Sequence, residues 1–248
     1  MFSENTKKNW EKFGRKNPYY GVNTSKEFKG TSLSCETENV FFDSGREIIH
    51  RVLHLTGELY GRSQFDTAVD FGVGVGRLLI PLSKSCKKIW GVDISDSMLR
   101  TAKENCRKHS VNNAHFANYV EELPDDLDLV HSFVVIQHIP ISLGMTIIET
   151  LMKKVRPGGL VAVHVPIRDP RPFPIRAAAK IQKNFFPARY VFNILRGNKI
   201  GDPVMQMNIY DLNCIAEMLF LYSKNVQLCP APSSWPGTYI MAQRRDAA

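Results

Sequence analysis

Three glycines at alternate positions, Gly72, Gly74 and Gly76, stand between one apolar run and the next. Glycine lets the backbone take positive φ and come close to a bound molecule. If a helix follows, its free N–H groups favour an anionic group. An acid, Asp70, precedes the turn. The dinucleotide fingerprint needs glycine at the first, third and sixth places. Here the sixth place is Arg77, so that fingerprint fails. A second acid, Asp93, ends the apolar run 89–92, where a carboxylate at a strand tip suits the hydroxyls of a ribose. His138, within 135–140, is a titratable side chain suited to acid–base work, or alternatively to satisfying loop backbone groups. His164 lies inside an apolar run and reads as a core histidine with satisfied nitrogens.

These groups need a scaffold. Residues 67–71 read as a strand, and 77–83 as a short or kinked helix, because Pro81 removes one helical hydrogen bond. A second strand covers 88–92. Ser95, Asp96 and Ser97 offer helix caps, with Met98, Leu99, Ala102 and Cys106 on the apolar face that follows. A short third strand covers 114–117, with Asn118, Tyr119 and Val120 at its tip. The fourth strand runs roughly over 127–134. Leu143, Ile147, Ile148, Leu151 and Met152 stripe the next helix, and the turn 155–159 ends it before a fifth strand at 160–165. Upstream, Ser44 and Glu47 fit a capping box, so a helix is expected to start there and bury Ile48, Val52, Leu55 and Leu59. Downstream, Asn208 is expected to cap a helix through Tyr222. Two strands, 226–228 and 238–242, close the chain. Strands alternating with helices predict an α/β fold with a doubly wound, mostly parallel seven-stranded sheet, Rossmann-like, with a C-terminal antiparallel strand and an inserted cap.

The length of 248 residues and 44% hydrophobic content fit one such domain. Five scattered cysteines without a C-x-x-C pair argue against a zinc site or a disulfide framework and suit a reducing compartment. The N-terminus has no apolar signal region, and no run reaches membrane-spanning length, so a cytoplasmic protein is expected. The formal charge of +8 is concentrated. Residues 166–208 hold eight basic side chains and two acidic ones, with Phe173, Phe185, Phe186, Tyr190 and Phe192 interleaved. This segment interrupts the strand–helix rhythm with several prolines and reads as the inserted cap, with short helices over 175–186 and 189–195. It faces an acceptor, an anionic lipid surface or plain solvent. Residues 1–43 are rich in aromatics: Trp10, Phe13, Tyr19 and Tyr20 are too many for a disordered tail. They form an arm that packs on the domain of 44–165 and 209–248.

Four landmarks occur in order: the glycine turn, Asp93, the 127–138 stretch, and Arg156-Pro157-Gly158-Gly159 before a strand. Together they resemble the class I S-adenosylmethionine-dependent methyltransferases of small-molecule type. The resemblance covers most of residues 10–165 and the closing helix and strands. It implies S-adenosylmethionine as cofactor and S-adenosylhomocysteine as product. It also implies that Gly72, Gly74 and Gly76 face the methionine part and ribose, and that Asp70 orients the amino group. Asp93 would take both ribose hydroxyls, and Ile94 and Met98 would pack on adenine. Asn118 stands where the family often has Asp, with Tyr119 and Val120 beside it. Ser132 and Phe133 would border the sulfonium. The arm would close over the cofactor with Tyr20 reaching toward its methionine end. His138 is the candidate base or acceptor-orienting residue, and no metal is called for.

The acceptor implied is a small or amphiphilic molecule, methylated on oxygen or nitrogen and bearing an anionic group. An RNA methyltransferase using the basic segment on phosphates is the alternative enzyme. A non-catalytic cofactor-binding regulatory domain is the alternative outside catalysis.

Overall fold

The computed structural model describes residues 4–169, 172, 205, 207–231 and 237–246. The expected helices at 175–186 and 189–195, and so the body of the expected cap, lie outside the described residues.

Seven strands form one sheet in the order β3-β2-β1-β4-β5-β7-β6. They are β1 (Phe65–Phe71), β2 (Cys86–Val92), β3 (Ala114–Ala117), β4 (Leu127–Ser132), β5 (Val155–Pro166), β6 (Ser223–Pro230) and β7 (Gly237–Arg244). β1 to β5 pair in parallel, and β7 runs antiparallel to both β5 and β6. The central strands read as unbroken apolar runs because both faces are covered. One core contains Phe41, Phe42, Leu79, Ile89 and Leu129. The other contains Val69, Val130, Ile147, Val161 and Ile215. The mostly parallel α/β architecture expected from the sequence is therefore present, with β7 as the antiparallel strand.

The helices are α1 (Glu4–Lys16), α2 (Pro18–Val22), α3 (Cys35–Tyr60), α4 (Leu79–Leu82), α5 (Asp96–Lys108), α6 (Ile141–Lys154) and α7 (Leu212–Phe220). Among the described residues, none is long and apolar enough to cross a membrane. α4 is a single turn containing Pro81, followed by a 3-10 turn, in keeping with the short helix expected there. Ser95 caps α5 by accepting from the Met98 N–H.

Three boundaries differ from expectation for local reasons. α3 starts at Cys35, capped by Ser34, whose hydroxyl accepts from the Thr37 N–H. Ser44 is not its cap but sits mid-helix and donates to the Phe41 carbonyl at 2.7 Å. The neighbouring Gly45 is a close approach rather than a boundary: a Cβ there would lie 2.3 Å from the Arg77 carbonyl oxygen. α7 is capped by Asp211, not Asn208. β5 begins at Val155, which pairs with Leu127. The next partners are Leu129 and Leu160, so residues 156–159 bulge out of register, with Gly158 at φ +73°.

Candidate functional site

A cavity of about 860 Å³ opens at the carboxyl ends of the central strands, over the glycine turn. Its floor is backbone. The N–H groups of Gly72 and Val73 both donate to the Val92 carbonyl, at 2.8 and 2.9 Å, which stitches the turn to the end of β2. Gly72 and Gly74 hold φ of +78° and +53°, a region costly to any residue with a Cβ. Space is short as well. A Cβ on Gly72 would meet Val135 at 2.3 Å, and one on Gly74 would meet Val22 at 2.4 Å.

Asp93 stands beside the floor. Its Oδ2 accepts from the Gly74 N–H at 3.0 Å and its Oδ1 from the Ser95 N–H at 2.9 Å. Burial pushes its carboxyl up to about 6. The two backbone donors pull it down, and the charges of Asp70 and Glu11 push it up further. Asn118 donates through Nδ2 to the Asp93 carbonyl at 3.2 Å and to Asp96 at 3.0 Å. Its donors being engaged, the side-chain oxygen is its acceptor.

The second wall follows β4. Val134, a β-branched residue, sits at φ +61° where the strand has already ended, short of the expected 134. Gln137 and His138 follow on a 3-10 turn. His138 is buried, and its ring meets the Trp10 ring edge-on at 5.3 Å. The returning chain is fastened to the same turn. Asn208 donates from its backbone N–H and its side chain to the Gln137 carbonyl, and from its side chain to the Ile139 carbonyl. Tyr210 also donates its hydroxyl to the Ile139 carbonyl.

The third wall is the arm. Glu11 on α1 accepts from the Ser95 hydroxyl at 2.8 Å, the Ser97 N–H at 3.1 Å and the Ser97 hydroxyl at 2.6 Å. It thereby caps α5 from another element. Burial works against its charge. The Ser97 and Ser95 hydrogen bonds, with one from Arg15, outweigh it and hold the carboxyl at about 2. Gly14 lets α1 lie against that helix start, since a Cβ would be 2.8 Å from the Ser95 hydroxyl. Trp10, Gly21 and Val22 reach the cavity. α3 supplies Ser44, Glu47, Ile48 and Arg51 on the remaining side.

The cavity brings together ten of the residues singled out in the sequence: Asp70, Gly72, Gly74, Asp93, Ile94, Met98, Asn118, Val120, Phe133 and His138. Four others do not line it. Tyr20 turns away under the Lys29 ammonium at 5.3 Å, while its neighbour Tyr19 points inward to Asn105. The arm thus meets the cavity through Trp10 and Val22, not through Tyr20. Gly76 faces Ala102 and Ile80. Tyr119 is exposed beside Lys7. The Ser132 hydroxyl is spent on the Phe71 carbonyl at 3.0 Å. His164 is in the core, as expected, yet neither ring nitrogen has a hydrogen-bond partner among the described residues. Burial drives its pKa down to about 4.

Sequence reasoning missed Glu11, which carries no local signal, and Arg77. The clue to Arg77 was a charge inside an apolar run. It is 6% exposed, donates to the Ser44 hydroxyl at 3.1 Å, and lies over the Phe41 ring.

Residues 68–159 match a family model described as a methyltransferase domain. Over 98 residues the chain is 31% identical to a ubiquinone biosynthesis O-methyltransferase of Methylococcus capsulatus, a match covering 38% of this chain and 40% of that protein. It is 28% identical over 107 residues to a 23S rRNA (uracil(1939)-C(5))-methyltransferase of Alcanivorax borkumensis, covering 43% of this chain and 23% of that one. The chain therefore spans less than half the length of the curated relatives it matches. Among solved structures, magnesium protoporphyrin IX methyltransferase from Synechocystis with bound SAM has a TM-score of 0.60 at 14% identity, covering 96% of this chain and 97% of that one. Phosphoethanolamine N-methyltransferase 1 of Haemonchus contortus, in complex with phosphoethanolamine and S-adenosylhomocysteine, has a TM-score of 0.62 at 13% identity, covering 98% and 49%. At such identities the likeness is one of fold.

Proposed function

We propose that the chain, whose residues 68–159 match a methyltransferase-domain model, is a class I S-adenosylmethionine-dependent methyltransferase that transfers a methyl group from that cofactor to a small-molecule acceptor. One observation carries the reading. A main-chain cradle at Gly72 and Gly74 and the Asp93 carboxylate share one wall of a cavity at the carboxyl ends of parallel strands. The donor set fits a sulfonium nucleoside. Asp93 offers a carboxylate to the ribose hydroxyls, Ile94 and Met98 give adenine apolar surface, Asn118 offers an acceptor to its amino group, and Asp70 offers an anion to the ammonium end. The cavity volume leaves room for a second molecule beside it.

When bound, the cofactor supplies a methyl group already activated for in-line displacement, so the chain's task is positioning and the exclusion of water. Trp10 and Val22 on the arm close the cavity from above. Phe133 and Val134 border the reacting centre. His138 takes the proton of a hydroxyl or ammonium acceptor, or orients it. The basic segment 166–208 adds attraction for an anionic acceptor. Calorimetric titration with S-adenosylhomocysteine tests the reading: binding by the wild type that is lost in Asp93→Ala is expected, and binding unchanged by that substitution would refute it. With a saturating acceptor, His138→Ala is expected to lower kcat; an intact kcat removes the base.

The similarity to an rRNA methyltransferase supports a second reading, RNA as acceptor. None of the five cysteines lines the cavity. Retention of RNA that falls steeply with salt would favour this reading, and no retention at low salt would dismiss it.

A further inference from the structure

Three polar side chains form a line beneath the cavity, with the buried His164 and Arg77 beside them. Asp70 on β1, His131 on β4 and Tyr239 on β7 are 2%, 0% and 0% exposed. His131 Nδ1 lies 3.0 Å from Asp70 Oδ1, and His131 Nε2 lies 3.1 Å from the Tyr239 hydroxyl. Strand register explains the alignment. Asp70 pairs with His131, and His131 pairs with Ala162 on β5. Tyr239 pairs with His164, two residues along β5 on the same face. Ala162 projects only a methyl group, so the Tyr239 ring can lean over β5 and reach His131.

The tautomer of His131 sets the direction of the bonds. In the arrangement with a carboxylate and a neutral ring, His131 Nδ1 donates to Asp70, and Nε2 accepts from the Tyr239 hydroxyl. Burial, with the Asp70 charge, pushes the Tyr239 hydroxyl well above its usual value, against the pull of Arg77, so the donor keeps its proton. Stability alone gives little reason for the line, since apolar side chains of similar volume often serve a core as well as a buried polar set. Its outer end does have a use, because Asp70 also lines the cavity.

We propose that His131 and Tyr239 are positioning residues: they fix the rotamer of Asp70 so that its carboxylate faces the ammonium end of the bound cofactor. The inference rests on the S-adenosylmethionine reading above and deepens it. His131 and Tyr239 themselves do not line the cavity; Tyr239 meets it only through the Phe133 ring stacked on it at 5.6 Å.

Two ligands separate a positioning role from a structural one. S-adenosylhomocysteine carries the amino-acid end; 5′-methylthioadenosine shares the nucleoside and lacks that end. By calorimetry, His131→Leu is expected to weaken S-adenosylhomocysteine about tenfold or more while leaving 5′-methylthioadenosine within about twofold. Tyr239→Phe, which keeps the ring, is expected to act in the same direction by about threefold. His131→Asn, whose amide nitrogen can stand in for Nδ1, is expected to restore most of the loss. If His131→Leu does not fold, Tyr239→Phe carries the test, with its melting temperature as the check. Equal weakening of both ligands, or of neither, would overturn the positioning role. A wild-type protein that binds neither ligand would overturn the cofactor reading and this inference with it.

Discussion

The two sides of the cavity are built in opposite ways. The cradle side is main chain: the turn at Gly72–Gly74, its bonds to Val92, and Asp93 tied to two backbone N–H groups. Everything there lies within a short stretch of sequence. The arm side is side chain: Glu11 bonded to Ser95 and Ser97 some 85 positions away, and Trp10 against His138 across 128. The cradle is fixed by the fold itself, whereas the arm is held by side chains: the Glu11 carboxylate, the Tyr19 hydroxyl on Asn105, the buried Phe13 ring and the partly buried Trp10 ring. The first should tolerate almost no change and the second should yield by degrees.

The sharpest way to break the comparison is at the cradle. Gly72→Val puts a branched side chain at φ +78° and against Val135. It should cost about 3 kcal/mol or more of stability and abolish ligand binding. Gly76→Ala has a similar φ but nothing closer than 3.6 Å, so only about 1 kcal/mol is expected. Equal melting temperatures for the two would show that space at Gly72 does not matter.

Asp93→Ala comes next, with a loss of about 2 to 3 kcal/mol in S-adenosylhomocysteine affinity. The wild type should also show a pH signature. The Asp93 pKa is raised, so without ligand its ionisation opposes folding above about 6, and that opposition fades as pH falls toward the ordinary 3.8. Ligand needs the ionised form, so affinity should fall as pH drops through 6. Binding near that pH should release a proton. Calorimetry in buffers of different ionisation enthalpy reads this directly, and a flat profile would contradict it.

On the arm side, Glu11→Gln should leave the sheet untouched and loosen α1 against the start of α5. Hydrogen exchange in α1 should rise, with ligand binding weakened about threefold to tenfold. The Glu11 pKa is depressed, so its contribution is complete above 4.5 and disappears as pH falls toward 2. Acid should therefore loosen the arm of the wild type and leave that of Glu11→Gln unchanged. The smallest effect belongs to the exposed pair Lys87–Asp66, remote from both sides, where Lys87→Ala should not move the melting temperature.

The same contrast explains what could be read from the residues alone. The strands, the glycine turn, Asp93 and the Ser95 cap follow from local pattern, since burial on both faces writes unbroken apolar runs. The start of α3 was misread because Ser44-Gly45 looks like a boundary. Those residues are small because Arg77 packs against them, and a contact between distant segments leaves no local mark. Asn208 looked like a helix cap for a related reason: its polar side chain serves the Gln137 and Ile139 carbonyls instead. Tyr20 lies under Lys29 while Tyr19 turns inward to Asn105, and no spacing rule fixes the rotation of so short a helix as α2. Glu11 is one acid among many until the fold brings it to Ser97.

The anchoring of Asn208 and Tyr210 to the loop that carries His138 has a wider implication. Whatever joins residue 169 to residue 207 departs from the end of β5 and re-enters at a knotted point on the rim. Because those bonds come from Asn208 and Tyr210, a change of span or character within that stretch should leave the histidine in place.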